Sequence, residues 1–186
     1  MKPKIAIAGA EGSYSEEAAI ELVGDDVATL KCRTFDDAVY MVKTRKAEFA
    51  VVPVNNKITG HIRSTTAIVE RSELIVINET RLTIRHVLAG TPHSELKEIR
   101  AVKSHEEALW QCTRFLRTLR DVRQIPSADT ASCIKRVVNN GDSRIAAIGS
   151  ARAAERYRAK ILSTNIADDV ENWTLFYLLG RHGETK

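Results

Sequence analysis

Cysteine and aromatic side chains are both scarce in this chain, and each shortage removes a class of protein. The three cysteines, Cys32, Cys112 and Cys133, are odd in number and widely spaced, with no Cys-x-x-Cys pair and no clustered histidine. That pattern argues against a disulfide framework and against structural zinc, and it fits a reducing, cytoplasmic setting. No segment approaches the roughly 18 consecutive apolar residues of a membrane helix. The short run Ile5-Ala6-Ile7-Ala8 after Met1-Lys2-Pro3-Lys4 breaks at Gly9 and Glu11, too soon for a secretory leader. A soluble protein with no membrane partner is expected. Aromatic residues make up only 5% of the chain, which leaves little for base stacking. Arg114, Arg117, Arg120 and Arg123 recur every third residue, yet without a nucleic-acid motif they read as a solvated helix face, and no nucleic acid is expected. The formal net charge of +4 is a mild excess; it favours a small anionic substrate. No internal repeat or low-complexity tract is present.

At 186 residues the chain can bury a sizeable core without staples. Its first segment reads as strand, turn and helix. Lys4 to Ala8 is a short buried strand, Gly9-Ala10-Glu11-Gly12 breaks it, and Ser13 with Glu16 has capping-box spacing before a helix from Tyr14 to Val23. Backbone donors at such a helix start suit a carboxylate or phosphate. A second strand over 27–31, a capped helix from Thr34 to Arg45 and a third strand from Phe49 to Pro53 follow. Alternation of strands and helices predicts an α/β fold with a largely parallel sheet and ligands beyond the strand carboxyl ends. Asn55, Asn56 and Lys57 fall just beyond the third strand. The asparagines there either shape a turn or face a ligand.

Beyond a helix over 64–71, apolar runs at 74–77 and 82–88 mark a crossing into a second sub-domain. A strand over 99–102 leads to Ser104-His105-Glu106-Glu107, where Ser104 and Glu107 repeat the capping-box spacing before a helix from Ala108 to Leu119. His105 would lie in the first turn, where the helix dipole disfavours its protonation. Ser127, Ala128 and Asp129 open a third capped helix running to Val138, and Asn139-Asn140-Gly141-Asp142 ends it. Two lobes can be drawn, residues 1–78 with 166–180 and residues 79–165, with a ligand expected in a cleft between them.

The last strand carries the most unusual combination. Asn172-Trp173-Thr174-Leu175-Phe176 alternates like a buried strand but opens with an amide, an indole and a hydroxyl, which need polar partners when buried. Thr174 and Leu175 are therefore the residues on which function is expected to turn.

Taken together, Gly9-x-x-Gly12-Ser13-Tyr14-Ser15, Val51-Val52-Pro53-Val54-x-Asn56, Ser104-His105-x-x-Ala108-Leu109-x-Gln111-Cys112, Ala146-Ala147-Ile148-Gly149-Ser150 and Asn172-x-Thr174-x-Phe176 occur in one order along the chain. In that order they resemble the catalytic domain of prephenate dehydratases. The resemblance implies two periplasmic-binding-protein-like lobes around a cleft, and conversion of prephenate, a dicarboxylate, to phenylpyruvate with loss of carbon dioxide and water. It implies no cofactor and no metal, and it suggests a homodimer. Thr174 and His105 are the implied catalytic residues: the threonine assists loss of the ring hydroxyl, and the histidine is a candidate proton relay. Substrate contacts are implied for Gly12, Ser13, Tyr14, Asn55, Asn56, Lys57, Ser104, Ser127, Ala128, Leu175 and Phe176.

The chain also departs from that family's pattern. Leu175 stands where the family has an arginine that binds substrate carboxylate, Asn55-Asn56-Lys57 replaces Glu-Asn-Ser, and Ser127-Ala128-Asp129 replaces Ser-Thr-Ala. The ACT domain that usually follows is not expected, since the sequence ends at Lys186. An apolar residue at position 175 is shared with related prephenate decarboxylases, which keep the ring hydroxyl. A non-catalytic ligand-binding homologue is the further alternative.

Overall fold

A computed structural model describes residues 2–183. In chain order its elements are β1 (Lys4–Ala8), α1 (Tyr14–Val23), β2 (Ala28–Cys32), α2 (Phe35–Lys43), β3 (Phe49–Asn56), β4 (Gly60–His61), α3 (Arg63–Arg71) and β5 (Ile75–Thr83). There follow β6 (Val87–Gly90), a 3-10 turn (Leu96–Glu98), β7 (Ala101–His105), α4 (Glu106–Trp110), α5 (Thr113–Thr118) and β8 (Arg123–Ser127). The chain closes with α6 (Thr130–Asn140), β9 (Ile145–Gly149), α7 (Ala151–Arg156), β10 (Lys160–Ser163) and β11 (Trp173–Gly180).

These elements form two compact α/β units. The first comprises Met1–Gly9, Tyr14–Thr83 and Asn172–Lys186; the second comprises Ala10–Ser13 and Ile84–Glu171. In unit 1 the sheet runs β2-β1-β3-β11-β5, with β4 attached to β3. β1 pairs in parallel with β2 and β3, whereas β11 enters antiparallel between β3 and β5. Strands covered on both faces need apolar residues at successive positions, which is what Ile5-Ala6-Ile7 and Ala50-Val51-Val52 supply. Ile5, Ile7, Val51, Phe176 and Leu178 pack with Ala18, Ala19 and Leu22 of α1 on one face. Ala6 and Ala50 pack with Ala38 and Val42 of α2, and Val52 and Leu179 with Ile68 of α3, in the remaining two clusters. Each large aliphatic side chain buried in this way contributes about 1.5–3 kcal/mol.

Unit 2 holds a sheet ordered β10-β6-β9-β7-β8, parallel between β9, β7 and β8 and antiparallel at β6 and β10. α6 ends as the sequence predicts, with Gly141 at φ 73° accepting the left-handed conformation that glycine tolerates.

Several boundaries differ from the sequence reading. β3 continues past Pro53 to Asn56, so Asn55 and Asn56 are strand residues. Proline is tolerated there because pairing of β3 with β1 has already ended at Val51, and the partner strand is irregular between Leu175 and Phe176. The polar run Asn78-Glu79-Thr80-Arg81 is the middle of β5, so the crossing lies at Thr83, not at residue 78, and the return lies at Asn172. The short loop Ala10–Ser13 belongs to unit 2, which adds a further pair of crossings. The expected helix over 108–119 is two, α4 and α5, interrupted at Gln111 and Cys112.

Candidate functional site

Unit 1 gathers three of its polar side chains at the junction of β3 and β11. Asn56 stands opposite Thr174 in the β3–β11 register. Its Nδ2 donates to Asn172 Oδ1 at 2.9 Å, to Thr174 Oγ1 at 2.9 Å and to the Trp173 carbonyl at 3.0 Å. Its Oδ1 accepts from the backbone N–H groups of Ile58 at 2.9 Å and Thr59 at 3.1 Å. Because a backbone N–H can only donate, these two bonds fix which end of the amide faces which way. Asn172 is fully buried, Asn56 is 7% exposed and Thr174 is 7% exposed, so every one of these bonds lies where an unmet partner is costly.

The chemical result concerns one hydrogen. Asn56 Nδ2 cannot accept, so Thr174 Oγ1 accepts from it and keeps its own proton. Among the described residues no acceptor takes that proton. Thr174 is thus a nearly buried hydroxyl held as an acceptor on one side and open as a donor on the other.

The neighbouring predicted residues divide by sheet face. Phe176, 3% exposed, packs on the α1 face, where Tyr14 also lies half-buried against the same cluster. Leu175 points to the other side and packs against the cluster containing Val52, Val54 and Ile68. Thr174 and Leu175 therefore do not share a face. Asn55 pairs across to Leu175 and His61. Lys57 is exposed, and its backbone N–H donates to the Trp173 carbonyl at 2.9 Å.

Unit 2 carries the remaining predicted residues, and the structure corrects how they are used. Ser104 does not cap a helix: it is fully buried and its Oγ donates to the Ile148 carbonyl at 2.8 Å. His105 is the N-cap of α4, its Nδ1 accepting from the Glu107 N–H at 3.3 Å. Likewise Asp129 caps α6 by accepting from the Ser132 N–H at 2.7 Å, while Ser127 ends β8 and accepts from Arg136 Nη2 at 2.9 Å. Ala128, exposed, sits between them. Gly12 adopts φ +78°, and a Cβ there would lie 2.4 Å from the Ala153 Cα. Its carbonyl accepts from Ser150 Oγ at 2.6 Å, and the Ser13 N–H donates to the Ala10 carbonyl at 3.2 Å.

Among the buried polar residues outside the site predicted from sequence are Asn172, His86 and Gln111. Asn172 stands in the quoted motif, and its adjacency to Thr174 was the available signal. His86 faces Gln111, with Nε2 3.1 Å from Oε1, and both side chains are buried. Burial pushes the His86 pKa down to about 4, partly offset by the bond to Gln111, so the ring is neutral at pH 7. Burial, reinforced by Asp168, raises the Cys112 thiol to about 12, which makes it unreactive. Among the described residues no three His, Cys, Asp or Glu side chains converge to hold a metal ion. None of their helices is long and apolar enough to cross a membrane.

Comparison with known proteins places this geometry among relatives. Residues 5–184 match the family described as prephenate dehydratase. The chain is 35% identical over 180 residues to arogenate dehydratase/prephenate dehydratase 1, chloroplastic, of Arabidopsis thaliana, covering 97% of this chain and 45% of that protein. The solved structure of prephenate dehydratase in complex with L-Phe from Arthrobacter aurescens superposes with a TM-score of 0.89 at 26% identity, covering 97% of this chain and 61% of that one. A solved structure described as GqqA, a novel type of quorum quenching acylases, gives 0.88 at 29% identity, covering 98% and 65%. The chain spans about half the length of the curated relatives it matches.

Proposed function

This chain belongs to the prephenate dehydratase family, and from that membership we propose that it is a lyase converting prephenate to phenylpyruvate. The ring C–C bond to the carboxylate breaks and releases carbon dioxide. Its electron pair moves through the diene and expels the ring hydroxyl, which leaves as water with one added proton. Prephenate dianion and a proton thus become phenylpyruvate anion, carbon dioxide and water.

The observation that carries the reading is the free proton of Thr174. A departing hydroxyl needs a hydrogen-bond donor, and Asn56 holds Thr174 Oγ1 with its lone pair occupied and its hydrogen available. A threonine hydroxyl has a high pKa, so it assists by hydrogen bonding while solvent supplies the net proton. The same orientation speaks against acylase chemistry at Thr174, because a nucleophilic hydroxyl must donate its proton to a base, and its partner here is an amide donor. Lys57, in the turn directly after Asn56, is the positive charge proposed to meet a substrate carboxylate in place of the family's arginine. His105, a helix cap here, is kept as a candidate proton relay on the resemblance alone.

A second reading, decarboxylation with the ring hydroxyl retained, is favoured by Leu175 in the position of that arginine. Incubation with prephenate near neutral pH, following aromatic product and carbon dioxide together, separates the readings. Equal yields of both support dehydration, gas alone supports the decarboxylase, and neither product overturns the enzymatic reading. Because the relative from Arabidopsis thaliana is named for arogenate as well, the same assay run on arogenate fixes the preferred substrate.

A further inference from the structure

Thr174 lies one residue from the start of β11, and on the β3 side that start stands apart from the rest of the strand. The register shifts between Leu175 and Phe176, so the pairs Thr174–Asn56 and Leu175–Asn55 are separated from the ladder that follows. Such an irregularity disrupts pairing locally and bends the strand. Two of the chain's crossings also fall here: unit 1 leaves off at Thr83 and resumes at Asn172, and Trp173 stands opposite Thr83. Strand ends of this kind open at little cost in free energy. The aim of the Thr174 hydroxyl therefore needs ties beyond the β3 ladder.

Trp173 carries those ties on both sides. Toward β3 its carbonyl accepts from Asn56 Nδ2 at 3.0 Å and from the Lys57 N–H at 2.9 Å. Toward β5 the tie is made by its ring. Arg81 stands opposite Leu175, two residues after Trp173, so both side chains share a sheet face, and the guanidinium reaches the indole diagonally. Its Cζ lies 4.9 Å from the ring centroid, within cation–π range. Arg81 is exposed and Trp173 half-buried. Among the described residues the guanidinium makes no hydrogen bond and no ion pair, so the stack on Trp173 is what holds it in place. On the β5 side the register runs without interruption from Thr83 to Asn78, which makes this strand the firm reference for the start of β11.

We propose that Arg81 is a positioning residue for Thr174: stacked on Trp173, it holds the first residues of β11 in the register in which Asn56 orients the Thr174 hydroxyl. The inference rests on the reading that this hydroxyl serves turnover of prephenate.

Steady-state kinetics on prephenate test it. Arg81→Met keeps the side-chain stem and removes the cation, and kcat falls about tenfold while KM stays within about twofold. Arg81→Lys, which keeps a cation over the ring, stays within about threefold of wild type. Added to Thr174→Val, the Arg81→Met change lowers kcat by less than about twofold, because no hydroxyl remains to be aimed. Wild-type kcat in Arg81→Met, a lysine variant as slow as the methionine one, or a loss that repeats in full on top of Thr174→Val would each overturn the proposal while leaving the role of Thr174 intact. A Thr174→Val enzyme as fast as wild type would instead remove the reading beneath it, and the proposal with it. Fluorescence supplies a readout apart from turnover. Trp110, 60% exposed, is the other of the two tryptophans, so in a Trp110→Phe background Trp173 is the sole emitter. Acrylamide quenching of that emission rises in Arg81→Met and returns toward the starting value in Arg81→Lys; quenching unchanged by Arg81→Met rejects the stack. Should Arg81→Met misfold by circular dichroism, Arg81→Gln carries the same comparisons.

Discussion

Thr174 in unit 1 and Ser104 in unit 2 are both buried hydroxyls on strands, and they differ in the direction of one hydrogen. Ser104 donates its proton to the Ile148 carbonyl and ties two strands together. Ser150, also in unit 2, donates to the Gly12 carbonyl and accepts from the Ala153 N–H, so it too is fully used. Thr174 accepts from Asn56 and keeps its proton. Residue type and burial are alike in these places; what separates a structural hydroxyl from a chemical one is whether its partner is a donor or an acceptor.

The largest expected effect comes from abolishing that difference. Thr174→Val keeps the shape and removes the proton, and turnover on prephenate should fall about 10² to 10⁴-fold, with only a modest fall in melting temperature because Asn56 Nδ2 keeps Asn172 Oδ1 and the Trp173 carbonyl as acceptors. Ser104→Ala, by contrast, should lower stability by about 1–3 kcal/mol by stranding a buried carbonyl.

A second contrast lies in titration. His86 in unit 2 has its pKa lowered from 6.5 to about 4 by burial. Above pH 6.5 the ring is neutral in folded and unfolded chains alike. As pH falls toward 4 only the unfolded chain takes up the proton, so the stability from this residue is present above pH 6.5 and lost between there and about 4. The loss should be about 3 kcal/mol, read as a fall in denaturation midpoint, and His86→Gln should flatten it. A midpoint equally steep in the variant would assign the acid sensitivity elsewhere.

Asn56→Asp sharpens the comparison from the other side. The new carboxylate still accepts from the Ile58 and Thr59 N–H groups but can no longer donate to Thr174, and would instead accept a hydrogen bond from the Thr174 hydroxyl. Thr174 then becomes like Ser104. Turnover should fall about tenfold to 10²-fold, and stability should fall as well because the buried carboxylate faces the Trp173 carbonyl that Nδ2 bound; wild-type turnover would show that the orientation of Thr174 does not matter. The smallest effect on chemistry is expected from Leu175→Arg. The side chain packs against the opposite face from Thr174, so the substitution should lower melting temperature and change turnover by less than about tenfold. A large gain in substrate affinity would show instead that residue 175 reaches the substrate.

Much of the fold was legible in the sequence because hydrophobic period and chain punctuation agreed. The cap at Thr34, the Gly141 helix stop and the apolar runs of β1 and β3 all lie where those rules put them. The misses have local causes. Pro53 read as the end of a strand, although its missing N–H falls where β3 has already left β1. The polar middle of β5 read as a crossing because an edge strand with an exposed face has few apolar positions there. The cap at His105 is displaced from Ser104, a serine that fits a capping pattern equally well, whereas Asp129 caps α6 within the stretch Ser127-Ala128-Asp129 expected to open it. At the site, the importance of Thr174 was visible as a hydroxyl in an apolar strand. That Asn56 and Asn172 hold it was not, since the asparagines lie 116 residues apart, and no local rule reports which way an amide donates.

The most direct test compares wild type, Thr174→Ser and Thr174→Val on prephenate, measuring phenylpyruvate and carbon dioxide in the same reaction. Wild type should give the two in equal amounts, the serine variant should stay within about tenfold of it because the donor is retained, and the valine variant should lose both products together. A valine variant as fast as wild type, or carbon dioxide released by wild type without aromatic product, would contradict the role given to the Thr174 proton.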